Sequence, residues 1–461
     1  MKKAVLGFVL FIVVIAIYSF WTDFDLVKRL VGYNVPETTD LPIARPDIDD
    51  DEDGLGFLSV PEGFRISIAA KGLDNPRVIV FDSKNRMLVS ETKAGRVMIL
   101  EAPSFAKASE GAAKNGEFKN KRVLIDGLNS PHGLAFFVEG ETTYLYIAET
   151  HQVARYAYDD NTGKITEQIG ANIATLPKDG GHFTRTIMFG PNWRDRDLVK
   201  GTFPIGGFYS ADKLYISVGS SCNVCMETTW KRGAILESDP QGTFTGEFAG
   251  GLRNSVFFTF HPETYEIWAT EMGRDELGDN LPPDEVNIVK VAGPEHKFGA
   301  RRFGWPFCYG NKIKDETFKP EKVERIDIPT DCSQTEAPVI ELPAHSAPLG
   351  LAFITNPPAG GWPSQWKNDL LIAYHGSWNR SEPTGYKIVK FKVDQNGRVS
   401  ETSDFITGWL ALSKSNGLSD PPAGGKKKVY GRPVDLKFSP DGNLYISDDA
   451  GGIIYKLEPK K

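Results

Sequence analysis

The sequence predicts an all-β chain folded as a six-bladed β-propeller, preceded by a single N-terminal transmembrane helix. Three observations predict it. Sustained helical periodicity is scarce in the 461 residues, which carry 46 glycines and 30 prolines as turn formers. A unit of two apolar strands bounded by small or polar residues recurs six times. The copies are spaced like propeller blades or wider, with the excess in loops. A chain this long would otherwise fill two or three domains, but a closed repeat accounts for all of residues 54–461.

The copies run in order. Asn75-Pro76-Arg77 leads into the strand Val78–Phe81, and a second strand ends at Ser90-Glu91. Ser130-Pro131-His132 precedes Gly133–Phe136, and the partner strand ends at Ala148-Glu149. Thr184-Arg185-Thr186 precedes Ile187–Gly190, and its partner ends at Gly219. Arg253-Asn254-Ser255 precedes Val256–Phe260, and its partner ends at Thr270-Glu271. Ala347-Pro348 opens the fifth copy, which closes at Tyr374-His375. Gly431-Arg432-Pro433 opens the sixth, which closes at Ser447-Asp448. In a propeller these polar ends gather at one mouth of the central channel. His182, Arg253, Asn254, His375, Arg432, Asp448 and Asp449 are therefore expected together, although they are remote in sequence.

Within this set, Gly180-Gly181-His182-Phe183-Thr184-Arg185-Thr186 stands out. Glycines let the backbone turn tightly and clear space beside an imidazole. Imidazole is also the natural proton acceptor near neutrality. The long insert Arg274 to Asn287 is rich in oxygen donors, with Asp275, Glu276, Asp279, Asp284 and Glu285. Loops of this kind hold hard cations such as calcium, and equally form solvated acidic surface.

The N-terminus reads separately. Met1-Lys2-Lys3 is followed by an uncharged, nearly all-apolar run from Ala4 to Trp21, close to the length that crosses a bilayer. Residues 1–22 are read as an uncleaved signal anchor, with Lys2 and Lys3 held inside. A cleaved signal peptide is the alternative, though no clear small-x-small site precedes Trp21. Residues 23–53 form an acidic, proline-containing stalk. The expected location is the inner membrane, with the propeller in the periplasm.

Lys and Arg total 53 against 60 Asp and Glu, a formal charge of −7. The run Asp47, Asp49, Asp50, Asp51, Glu52 and Asp53 accounts for six of these, so the body is close to neutral. Such a body has no basic field for a nucleic-acid backbone. The four cysteines are Cys222, Cys225, Cys308 and Cys332. They lack the second pair or histidines of a zinc site, and Met226 stands where haem attachment needs histidine. Two disulfides are the economical reading in an oxidising compartment. Cys308 and Cys332 are expected to join, bracketing an insert with little apolar content; the pairing of Cys222 and Cys225 stays open.

Several strings, in matching order from about Gly54 to Leu457, resemble the quinoprotein sugar dehydrogenases that use pyrroloquinoline quinone (PQQ). They include Gly181-His182 with Arg185, Ser217–Cys225, Gly251-Leu252-Arg253-Asn254, Glu271-Met272-Gly273-Arg274-Asp275, His375–Arg380 and Gly431-Arg432-Pro433-Val434. The chain is most similar to the L-sorbosone dehydrogenase-like branch, beside soluble glucose and aldose sugar dehydrogenases. The resemblance implies a six-bladed propeller with the cofactor over the channel mouth. It makes His182 the catalytic base and puts Arg253 at the quinone oxygens. Asn254, Arg432, His375, Arg380 and Asp449 fall in the cofactor-binding set. Gly273, Arg274 and Asp284 fall in the calcium-binding segment. Met272, Arg274 and His375 depart from the glucose dehydrogenase pattern, which has Gln, Pro and Lys there.

The resulting expectation is a membrane-anchored oxidoreductase that oxidises a sugar or sugar-derived aldehyde and passes electrons to a periplasmic or membrane acceptor. A calcium-dependent lactonase-type propeller hydrolase is one alternative. A non-catalytic propeller that binds carbohydrate or protein is another. The topology has a direct check: protease added outside spheroplasts should cleave the body. Cleavage only after the inner membrane is lysed would contradict the anchor orientation.

Overall fold

The computed structural model describes residues 55–460, except 102–117, 119, 170–171, 194–212, 294–298, 324, 326, 356–360, 395–396 and 413–426. The proposed anchor and stalk, residues 1–22 and 23–53, lie outside the described residues. Among the described residues no helix is long and apolar enough to cross a membrane.

The six expected strand pairs are present, each as the first two strands of one blade. Their first strands are Pro76–Phe81, Leu134–Glu139, Ile187–Gly190, Phe258–Phe260, Pro348–Phe353 and Pro433–Phe438. Each pairs antiparallel with the next strand in sequence, and the sheet continues outward by further hairpins. The last blade is completed from the other end of the chain. Phe64–Lys71 pairs with Ile453–Pro459, with Phe64 opposite Pro459 and Lys71 opposite Ile453. This joint closes the ring and leaves no unpaired central edge.

The strands read as continuous apolar runs because both faces are covered. In Thr142–Glu149, Leu145 and Ile147 pack with Leu88, Val97 and Ile99 of the first blade. Their neighbours Tyr146 and Ala148 pack with Leu214 and Ile216 of the third. Successive side chains of a strand point to opposite faces, so one strand binds two blades together. Each such buried aliphatic side chain stabilises by roughly 1.5–3 kcal/mol.

The first strands line the axis. A channel cavity of about 210 Å³ is bounded by Val80, Leu134, Met188, Phe260, Phe353 and Phe438, one from each blade. Two glycines set how closely these strands approach. A Cβ at Gly133 would lie 2.6 Å from the Arg185 carbonyl oxygen. One at Gly350 would lie 2.5 Å from the Val434 carbonyl oxygen.

A repeated polar device closes the mouth end. Prolines at 76 and 433 begin their strands without an N–H, and the pairing register shifts just after them. The N–H groups freed by the shift, at Val78 and Asp435, donate to Ser90 Oγ and Ser447 Oγ at 3.0 Å each. The acidic residue after each serine then accepts from the loop that leads into the blade. Glu91 accepts from Asp74 N at 2.7 Å and Asp448 from Arg432 N at 2.9 Å. Glu149 does the same for Asn129 N at 2.6 Å, and Glu271 for Asn254 N at 2.6 Å. The third and fifth blades have Val218 and Tyr374 at this position.

The insert between the third and fourth strands of the fourth blade folds back on the third. Its Arg301–Arg302 runs parallel to Ala249–Gly250, and Arg302 forms paired bonds to Glu247 at 2.6 and 3.0 Å. The expected Cys308–Cys332 disulfide staples it, with both cysteines buried. Closing a loop of this length contributes roughly 3 kcal/mol in the chain-entropy picture.

Two predictions follow from this packing. Gly350→Ala should lower stability by about 1–3 kcal/mol through overpacking, seen as a lower Tm in calorimetry; an unchanged Tm contradicts the close approach. The second concerns pH. Burial raises Glu271 to about 8, and Glu285 and Asp448 to about 7. These carboxyls hold protons in the folded protein that the unfolded chain has already lost. Stability should therefore fall as pH rises from about 7.5 to 8.5, through the folded value of Glu271 and above the range in which solvated histidines titrate. A higher Tm at pH 8.5 than at about 7.5 would contradict it.

Candidate active site

His182 sits in the tight loop expected of it. Gly180 has φ +90°, and a Cβ there would lie 2.5 Å from Ser221 Cα. Gly181 N donates to the Ser221 carbonyl at 2.9 Å, fastening the loop to the end of the third blade's second strand. Beneath it lies Gly219, where a Cβ would be 2.6 Å from both His182 Cβ and Asn254 Oδ1. His182 and Asn254 thus meet over a glycine that leaves them room. Arg185 is wholly buried and donates to the carbonyls of Thr150, Pro177, His182 and Thr184 at 2.7–3.1 Å. The loop is wrapped around this one guanidinium.

The hydrogen bonds fix the imidazole tautomer. His182 Nδ1 lies 2.9 Å from the Ser220 carbonyl and 2.9 Å from Ser220 Oγ. A carbonyl only accepts, and the Ser220 hydroxyl already donates to the Cys222 carbonyl at 2.7 Å. Nδ1 therefore carries the hydrogen, and Nε2 keeps its lone pair. Burial, then the charges of Arg253, Arg185 and Arg232, lower the His182 pKa to about 3. The ring is a neutral base at every working pH.

Arg253 is gripped on all sides. Nε donates to the Asn223 carbonyl at 2.9 Å, and Nη2 to Asn223 Oδ1 at 2.9 Å and Asp275 Oδ2 at 3.0 Å. Nη1 donates to the Gly273 carbonyl at 2.9 Å. Asn254 is set by the Glu271 clamp, and its Nδ2 lies 3.7 Å from Met272 Sδ. Asp275 also accepts from Asn379 Nδ2 at 2.6 Å, which carries the network onto the fifth blade.

A second group forms the other side of the mouth. His375 Nε2 donates to Asp449 Oδ1 at 2.9 Å, and Arg77 Nη1 donates to Asp449 Oδ2 at 2.6 Å. Against its burial, the bonds and charges of His375 and Arg77 hold the Asp449 carboxyl well below the usual range. Burial and Arg432 lower His375 to about 4, so its Nδ1 is a free acceptor at neutral pH. Arg432 donates to the carbonyls of His375 and Gly376 and lies over the Tyr386 ring. His132 stands at the corresponding place on the second blade; its Nε2, and Arg77 Nε, are buried with no hydrogen-bond partner among the described residues.

Not every expected residue faces this mouth with its side chain. Arg380 turns into the 279–280 loop, donating to the Asp279 and Ala344 carbonyls and to Asn280 Oδ1. The Arg274 side chain pairs with buried Asp315 of the insert at 2.7 Å. Asp284 accepts from Gly273 N, Ala347 N and Ser346 Oγ at 2.9–3.1 Å, so both its oxygens are occupied. It holds the Gly273 loop to the fifth blade. Sequence reasoning missed Asn223, Arg77, Ser220 and Asp315. Asn223 alone carried a local signal, standing between two cysteines.

The donor set fits an anionic ligand. Arg77, Arg253 and Arg432 converge with two histidines, and Arg77 Nε and His132 Nε2 remain unpartnered. For a hard cation the loop offers the carbonyls of Gly273 and Arg274, and the first is already taken by Arg253. Among the described residues, one His, Cys, Asp and Glu trio is close enough to share an ion: Cys222, Cys225 and Glu227. Its sulfurs are joined in a disulfide.

The TrAA12-like family model matches residues 58–460. An uncharacterized protein of Borreliella burgdorferi is 37% identical over 428 residues, covering 89% of this chain and 93% of that one. A pyrroloquinoline quinone-dependent pyranose dehydrogenase of Coprinopsis cinerea is 25% identical over 87% of this chain and 54% of its own length. The iodide structure of the Trichoderma reesei family AA12 enzyme superposes with a TM-score of 0.64 at 23% identity. That match covers 92% of this chain and all of the other. The holo PQQ domain of the Coprinopsis enzyme gives 0.61 at 23%, over 91% and 98% of the two chains. At these identities the structural likeness shows a shared fold. The family match, which spans the whole propeller, and the 37%-identical relative together establish that the chain belongs to the TrAA12-like family.

Proposed function

We propose that this protein is a PQQ-dependent oxidoreductase that oxidises a sugar or sugar-derived aldehyde, of the aldose or sorbosone kind. One observation carries the reading: a neutral histidine, its Nδ1–H fixed by a carbonyl, presents a lone pair at Nε2 beside a buried arginine. The names of the Coprinopsis cinerea relative and of a Hypocrea jecorina sugar dehydrogenase support the cofactor and the substrate class.

When bound, the quinone supplies the hydride-accepting, two-electron chemistry. This chain's residues do the rest. His182 Nε2 takes the proton of the substrate hydroxyl. Arg253 and Asn254 lie beside it, where a fixed guanidinium and amide stabilise developing negative charge without rearranging. Arg432 and Arg77 meet carboxylates by charge-assisted bonds. His375, neutral in the free protein, takes up a proton at Nδ1 when a carboxylate lies against it. Asp449 orients His375 and Arg77. Calcium would be held by the Gly273 and Arg274 carbonyls, with Arg253 Nη1 giving up its bond to the first, and would supply positive charge at the quinone oxygens. The segment 1–22 anchors the propeller on the periplasmic side of the inner membrane, and electrons pass to a periplasmic or membrane acceptor.

His182→Ala should keep its fold and bind the quinone, yet lose roughly a hundred- to ten-thousand-fold in the rate of quinone reduction. Single-turnover absorbance of the reconstituted protein checks this, and a wild-type rate in the variant would overturn the assignment. Arg432→Ala should instead weaken cofactor binding first, by equilibrium titration, with the rate of the fully loaded variant changed far less. The base should stay active down to about pH 5 in the same assay. An acid limb near 6.5 would mean an ordinary, solvated histidine.

A further inference from the structure

We propose that Asn223, held by the Cys222–Cys225 disulfide, is the positioning residue of the site, and that opening this disulfide turns the site off reversibly. The inference rests on the reading of His182 and Arg253 given above.

The bridged loop Cys222-Asn223-Val224-Cys225 touches both halves of the proposed chemistry. On one side, the Cys222 carbonyl accepts the Ser220 hydroxyl, which leaves that oxygen to accept His182 Nδ1–H. The adjoining Ser221 carbonyl holds Gly181 N. On the other side, Asn223 takes two donors of Arg253, one on its carbonyl and one on Oδ1. The same Oδ1 accepts from Asp275 N at 2.8 Å, and Nδ2 donates to the Asp275 carbonyl at 3.1 Å. Trp305 Nε1 donates to the Asn223 carbonyl at 3.3 Å. One residue therefore joins the arginine to the Gly273–Asp275 backbone, and its own backbone is pinned three residues apart by sulfur.

The two disulfides differ in setting. Cys308 and Cys332 are both buried and close a loop across 24 positions. Cys222 and Cys225 are half-buried at the mouth and three positions apart. A bridge over so short a loop restricts the unfolded chain little, so its effect is felt in the folded site. Solvent reaches it, so a dithiol can attack one sulfur. Two electrons and two protons pass from the dithiol, which closes to a cyclic disulfide, and Cys222 and Cys225 become thiols. The loop then keeps its hydrogen bonds, among them Glu227 to Ser221 N and Oγ, but loses the covalent link that fixes the backbone on either side of Asn223.

The test uses the full protein, with and without bound quinone. Dithiothreitol is added until mass mapping finds Cys222 and Cys225 as thiols and Cys308–Cys332 intact. Amide exchange without cofactor is expected to rise at least tenfold at residues 181–184 and 253–255, with the blade strands unchanged. With cofactor, the single-turnover rate is expected to fall at least tenfold while quinone affinity, which rests on the Arg432 side, stays within threefold. Reoxidation restores both. Asn223→Ala should give the same slow rate in the oxidised protein, and Asn223→Asp, which keeps the Oδ1 acceptor, should recover most of it. Unchanged exchange at residues 181–184 and 253–255 with both cysteines reduced would overturn the proposal, whatever the protein oxidises. So would an unchanged turnover in Asn223→Ala. Loss of quinone affinity in parallel with rate would make the loop a general structural brace and also sink it.

Discussion

The site depends on buried carboxyl groups that sit at the mouth ends of four blades. Such a group is costly to bury, and backbone N–H groups compensate it here, joined by Arg96 at Glu91. Glu271 and Asp448 each give an oxygen to the loop that carries a functional residue, Asn254 in one case and Arg432 in the other. Glu91 and Glu149 do the same on blades that carry Arg77 and His132. The clamp turns a repeated strand pair into a repeated loop direction. Without it, four of the six loops would leave the rim with no shared orientation. Because the clamp belongs to the blade, the mouth inherits its precision from the sheet rather than from contacts among the loops.

The charges at the mouth are arranged asymmetrically. Arg253 is shared between Asp275 and neutral carbonyls, Arg185 has carbonyls alone, and Arg432 has carbonyls and a ring face. Burial and these cations keep both His182 and His375 neutral. Asp449, whose pKa is strongly lowered, is divided between His375 and Arg77. Positive charge therefore outnumbers negative at the face that a ligand would meet. The base lies on the other side of the mouth, next to Arg253, whose charge keeps a proton off the imidazole.

The propeller was legible because its signal is repeated. The six strand pairs appear where the small-apolar-polar unit placed them, including those opened by Pro76 and Pro433. The ring closure was not legible, since Phe64–Lys71 belongs to no copy and finds its partner at the far end of the chain, with Phe64 opposite Pro459. For the site, single residues at loop ends could be named, and His182, Arg253 and Asn254 do meet. Side-chain direction could not be named. Arg274 and Arg380 turn away to Asp315 and Asn280, and nothing local in the sequence shows which way a long side chain points. The role of Asn223 was hidden for a related reason: its partners lie 30 and 52 residues away, in two different loops.

The central claim is that His182 is a neutral imidazole with hydrogen on Nδ1 and a lone pair on Nε2. Nitrogen-15 spectra of histidine-labelled protein, with His182 assigned by its alanine variant, read both nitrogens directly. The account predicts one protonated and one bare nitrogen, with the bare one at Nε2 and no change between pH 5 and 8. A ring that titrates near 6.5, or carries its hydrogen on Nε2, would contradict it.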